Sequence, residues 1–98
     1  MKKAYPIIIS KEEDGFFVDI PDFNIATQGK DIYDSIFMAR DAMLLMGNTL
    51  NSEGKIIPQP SNVNDIKKKK DTDIITLVDV NFESNAKWFK KNINTIIN

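Results

Sequence analysis

The most regular helical period in this chain lies between runs rich in β-branched residues. Ile32, Ile36, Ala39, Met43, Met46 and Leu50 recur at spacings of three and four, which draws one apolar stripe along a helix. A lone amphipathic helix has no second helix to pack on, so the stripe must be buried against a sheet. Asp31 reads as the N-cap, and Asp34, three residues on, places a second carboxylate where the helix dipole favours it. Gly47 interrupts the pattern late, at a cost of about 1 kcal/mol relative to Ala. The helix is expected to end between Met46 and Asn51, with Gly54 reversing the chain. Tyr33, Phe37 and Leu44 lie off the stripe and either widen the core or form a partner surface.

The flanking segments read as strands. Residues 4–9 form a short β-branched run, in which Pro6 belongs at a strand start or an edge because it has no N–H to donate. Residues 11–15 are a polar turn with the hairpin pair Asp14-Gly15. Residues 16–20 alternate, with Phe16, Val18 and Ile20 on one face and Phe17 and Asp19 on the other. Pro21-Asp22 ends that strand, and residues 25–28 form a third. After the helix, Pro58 and Pro60 keep residues 56–61 extended. Residues 62–73 are a polar linker, and its Lys67 to Lys70 run reads as a solvated loop, since no aromatic residue is interleaved to stack on bases. Residues 74–80 are apolar on both faces, which suits a central strand. The expected fold is therefore an α+β two-layer β-β-β-α-β sandwich, an antiparallel-containing sheet with one main helix. Ninety-eight residues make one domain, expected over residues 1–82 with a tail over residues 83–98.

Chemistry is restricted by what is missing. The chain has no Cys and no His, which excludes disulfides, thiol nucleophiles, Cys/His zinc sites and imidazole acid–base catalysis. No cofactor and no metal is called for. The apolar run after the basic start is too short for a signal peptide, and far short of the roughly 20 residues of a membrane span, so a cytoplasmic protein without a membrane partner is expected. The net charge of −1 divides unevenly. Residues 1–55 hold six basic and nine acidic residues, and residues 56–98 hold seven and five. An acidic front half suits a basic partner better than it suits nucleic acid.

Several short motifs then coincide. Tyr5-Pro6, Asp14-Gly15-Phe16-Phe17-Val18, Pro21-Asp22 and Thr27-Gln28-Gly29 resemble the opening of the HicB antitoxins. The resemblance continues through Met38-Ala39-Arg40-Asp41-Ala42, Gly54-Lys55-Ile56-Ile57-Pro58-Gln59-Pro60-Ser61 and Thr76-Leu77-Val78-Asp79-Val80. It implies a partial ribonuclease-H-like domain without catalysis that binds a HicA-type toxin, a small RNA-cleaving ribonuclease, and masks its active site. Members usually continue into a ribbon-helix-helix or helix-turn-helix module. This chain carries only what resembles the approach to one, at residues 90–94, so operator DNA binding is not expected of it.

The expected toxin-binding residues are the carboxylates Glu12, Asp14, Asp19 and Asp22, with Tyr5, Phe17 and Tyr33 as aromatic anchors. Trp88 and Phe89, in a tail otherwise rich in Lys and Asn, either mediate self-association or fold back on the sheet, and a homo-oligomer, at least a dimer, is expected. Two competing functions are a dimeric autoregulator of its own operon and a metal-dependent nuclease using Asp19, Asp22 and Asp79.

Overall fold

The computed structural model describes residues 1–82. Its elements are β1 (Lys2–Glu12), β2 (Gly15–Ile20), a 3-10 turn (Pro21–Phe23), β3 (Ile25–Gly29), α1 (Ile32–Ser52), a second 3-10 turn (Val63–Asp65) and β4 (Ile74–Asn81). The strands form one antiparallel sheet in the order β3-β2-β1-β4, with α1 packed on one face. The expected α+β sandwich with one main helix is what forms. Trp88, Phe89 and the tail assigned to residues 83–98 lie outside the described residues.

Register decides which side chains share a face. Ile9 lies opposite Val18, Tyr5 opposite Val78, and Val18 opposite Thr27. The helix-facing side therefore carries Tyr5, Ile7, Ile9, Val18, Ile20, Val78 and Val80, all buried. The outer side carries Pro6, Ile8, Phe17, Asp19, Ala26, Leu77 and Asp79.

Two strand expectations are corrected. The two-faced apolar strand β4 is an edge, and β1 is central, with residues 5–9 all buried. A strand's own composition does not say which neighbour it pairs with. Pro6 sits in mid-strand, not at a start or an edge. Met1 and Phe82 exchange two backbone hydrogen bonds, at 2.7 and 2.8 Å. By the alternation of antiparallel pairs, odd residues of β1 bond to β4 and even residues turn toward β2. Pairing with β2 begins only at Ile8, so the missing N–H of Pro6 costs no ladder bond.

The helix starts as expected. Asp31 Oδ1 accepts from Asp34 N at 2.7 Å, and Asp34 Oδ2 accepts from Lys30 N at 2.8 Å, a reciprocal cap. The buried face is centred differently. Ser35, Ala39, Met43 and Gly47 are its deepest residues, while Ile32, Ile36, Met46 and Leu50 flank them as half-buried packing. Small residues let the helix approach the sheet closely. A Cβ on Gly29 would lie 2.6 Å from Ser35 Cα, and one on Gly47 would strike the buried Phe82 ring. The helix runs to Ser52, slightly beyond the expected end, and Gly54 reverses the chain at φ 71°. Tyr33 and Phe37 are exposed, which resolves their two readings toward surface, while Leu44 packs partly against the core.

The long connection from α1 to β4 is tied down along its length, and Lys3 Nζ donates to Gln59 Oε1 at 3.1 Å. The buried Tyr5 hydroxyl donates to Pro58 O at 2.6 Å. Asp22 accepts from Ser61 N at 2.8 Å and from the Ser61 hydroxyl. Asp73, only 2% exposed, accepts through Oδ2 from the backbone N–H groups of Lys69 and Lys70. The Ser10 hydroxyl, then those N–H groups and the Lys70 charge, hold the Asp73 carboxyl below its ordinary range against the opposing effect of desolvation. Asp73 Oδ1 completes no hydrogen bond of full geometry, so Ser10 acts on it as a nearby dipole.

Two predictions follow from this packing. Gly47→Ala is expected to destabilise the protein, although Ala in a helix normally gains about 1 kcal/mol over Gly, because the added methyl meets the Phe82 ring. Pairing it with Phe82→Leu should recover part of the loss in a urea melt, and Met43→Ala should cost about 2–5 kcal/mol. The second prediction concerns acid. The folded Asp73 carboxyl binds its proton less tightly than the unfolded one, whose ordinary pKa is 3.8. Its contribution is therefore present above that value and is lost as pH falls through and below it. Urea midpoints from about pH 6 to about pH 3 should fall more steeply for the native chain than for Asp73→Asn.

Candidate functional site

The turn that closes the β1–β2 hairpin starts the site. Glu12 pairs with Gly15, so Glu13 and Asp14 form the tip. Gly15 holds φ 128°, and a Cβ there would lie 2.7 Å from Gly29 O. Only glycine permits both the backbone angle and the close approach. The approach presses the acidic tip against the junction between β3 and α1. That junction carries Lys30 and, in the first helical turn, Asp34, whose position the reciprocal cap fixes.

Glu12, Asp14 and Asp34, from three different elements, thus converge with Lys30 at one end of the sheet. They line an open cleft of about 860 Å³ with Phe16, Phe17 and Met38 as apolar surface. The exposed edge of β3, at Ala26 and Gln28, forms one wall. Lys11 Nζ sits 4.6 Å from the centre of the Phe16 ring, a cation–π contact beside the cleft. Three carboxylates against one lysine give the lining a net negative charge. Its lining mixes apolar and charged side chains, as protein-docking surfaces do.

The seven residues expected to touch a partner separate into groups. Glu12, Asp14 and Phe17 are brought together in the cleft. Asp19 lies on the outer face of β2, between Ile8 and Ala26. Tyr33 is 79% exposed on α1. Tyr5 is fully buried, so its ring presents no surface; burial first, and then the Asp22 charge, raise its phenol pKa. Asp22 is engaged by Ser61. Sequence reasoning missed Lys30, Asp34 and Met38. Asp34 had a sufficient local role as a cap, and nothing in the spacing of residues 12 and 34 reveals that the hairpin tip leans on the helix start.

The carboxylates of the nuclease alternative do not converge. Asp19 lies opposite Ile8, and Asp79 lies opposite Ala4 across the other edge of β1. Four residues and two strand spacings place them roughly 16 Å apart. Asp79 is instead bound by Arg40, whose Nη2 donates to Oδ1 at 2.8 Å and holds that carboxyl below its ordinary range. Among the described residues no group of three carboxylates is placed to hold a metal ion, and no helix is long and apolar enough to cross a membrane.

Comparisons with known proteins agree with this fold. A chain of a toxin-antitoxin complex from Streptococcus pneumoniae superposes with a TM-score of 0.73 at 21% identity, covering 98% of this chain and 89% of that one. A chain of the HicA3 and HicB3 toxin-antitoxin complex superposes with a TM-score of 0.66 at 26% identity, covering 81% of this chain and 99% of that one. No curated protein matches the sequence significantly. The family of HicB-like antitoxins of bacterial toxin-antitoxin systems matches residues 5–97, and with nearly the whole chain matched, the protein belongs to that family.

Proposed function

We propose that this antitoxin inhibits a HicA-type, mRNA-cleaving ribonuclease in the cytoplasm by occlusion, docking the hairpin-tip cleft on the toxin's RNA-binding surface without chemistry of its own. The observation that carries the reading is the cleft: three carboxylates and one lysine around apolar side chains, on a chain of an antitoxin family. A ribonuclease must present positive charge to the phosphate backbone. An acidic surface meets that field, steers the encounter and competes for the same ground as RNA. Phe17, 40% exposed at the cleft, supplies an aromatic anchor of the kind that concentrates binding energy. Asp19 and Tyr33 lie outside the cleft and extend the contact only if the toxin spreads over the outer face or over α1. Tyr5 and Asp22 act indirectly, by holding the fold.

Glu12 and Asp14 are exposed and make no side-chain hydrogen bond among the described residues, so both can be reversed without loss of folding. Glu12→Lys combined with Asp14→Lys should slow association with the toxin by about tenfold or more at low salt. The difference should shrink as salt screens the encounter, and rescue of toxin-expressing cells should weaken. Unchanged low-salt association by a normally folded variant would show that the toxin contacts lie elsewhere.

A further inference from the structure

The opposite edge of the sheet is built for a different kind of contact. Even residues of β4 bond to β1, so the N–H and C=O groups of Ile75, Leu77, Asp79 and Asn81 point away from the sheet. The Asp79 position is closed. Arg40 Nε donates to its carbonyl at 2.9 Å, and Arg40 Nη2 donates to its carboxylate at 2.8 Å. Within the uncharged run of residues 74–78, Ile75 and Leu77 keep their outward pairing groups open among the described residues. The side chains around them are apolar and exposed: Ile74 on the helix side and Leu77 on the outer side. Tyr33 and Phe37 lie seven and three residues before Arg40, hence on the face of α1 that turns toward this edge. Soluble proteins usually blunt such an edge with charge, a bulge or a cover, and among the described residues the blunting falls at its Asp79 end.

We propose that the edge of β4 pairs with the same edge of a second copy, antiparallel about a twofold axis at Thr76, joining two sheets into one of eight strands. The register follows from which groups are open. With Thr76 opposite Thr76 of the partner copy, Ile75 of each copy exchanges both backbone hydrogen bonds with Leu77 of the other, and every open group between residues 74 and 78 is paired. On the helix side Ile74 meets Val78, and on the outer side Ile75 meets Leu77, so the pairs flanking the central Thr76–Thr76 pair are apolar. The ladder ends where Asp79 is held by Arg40 and Asp73 is folded onto Lys69 and Lys70. A basic partner finds no free carboxylate along this edge, whereas a copy of the same strand meets no like charge. The acidic cleft lies at the other edge, so the dimer leaves it open.

The chain contains no cysteine, which makes the register directly testable on the full-length protein. Thr76→Cys should oxidise to a covalent dimer, because the twofold places two non-hydrogen-bonded residues with Cα atoms about 4.5 Å apart, within disulfide reach. Native chain should sediment as a dimer. Ile75→Pro, which removes one outward N–H from an edge where proline is tolerated, should raise the dimer dissociation constant about tenfold or more, as should the exposed change Leu77→Lys, with unchanged circular dichroism. A native chain that stays monomeric at every concentration overturns the proposal. A dimer that survives both substitutions and fails to cross-link at residue 76 also overturns it, and a chain ending at Glu83 would then show whether the tail holds that dimer. Cross-linking through Leu77→Cys instead of Thr76→Cys would overturn the register.

Discussion

Tyr5 is where the fold closes. A buried phenol must keep its hydroxyl paired or lose about 1–3 kcal/mol, and here the partner is the Pro58 carbonyl, brought in from beyond the helix. Its ring meets Phe23 edge-on, with centroids 4.9 Å apart, and Phe82 at 6.3 Å. One side chain on the central strand therefore binds the turn after β2, the chain after α1 and the end of β4. The neighbouring Asp22–Ser61 contact repeats the tie from the turn itself. Several motifs that carry the resemblance to the HicB antitoxins lie at such closures: Tyr5 with Pro58, Asp22 with Ser61, Arg40 with Asp79, and Gly29 under Ser35. These motifs mark how the domain is locked, and Tyr5 and Asp22 take their places in them as internal contacts.

What could be read from the sequence was local. The cap at Asp31, the hairpin at Gly15 and the alternation of residues 16–20 depend on neighbours within a few positions, and they stand where expected. Strand order did not show, because β4 is apolar on both faces for reasons its own residues do not state. Pro6 was misplaced for the same cause: whether a missing N–H matters depends on where β2 stops. Gly47 read as a defect of the helix, yet it is the seat of the Phe82 ring, thirty-five residues later in the chain. The deepest helix positions include Ser35 and Gly47 because close approach to the sheet, more than hydrophobicity, sets the centre of that interface.

The candidate site was half legible for a related reason. Glu12 and Asp14 stand out as a charged turn beside Phe17, and turn chemistry alone brings them together. Asp34 and Lys30 join them only because Gly15 lets the tip rest on Gly29. The cleft is thus a tertiary product of two glycines, each required by backbone geometry and neither carrying charge.

Placing β1 in the centre leaves the sheet with two edges of opposite character. β3 is short and sits beside carboxylates, so a contact there would be selected by charge and strengthened by low ionic strength. β4 is longer, carries no charge over residues 74–78 and offers backbone groups between apolar side chains, so contacts there are selected by register and by burial. A basic ligand gains from the first and nothing from the second; a neutral strand gains from the second and is indifferent to the first. Arg40 sharpens this separation, because by pairing with Asp79 it removes both the one carboxylate that would have drawn a basic ligand to β4 and the backbone carbonyl that would have lengthened the ladder.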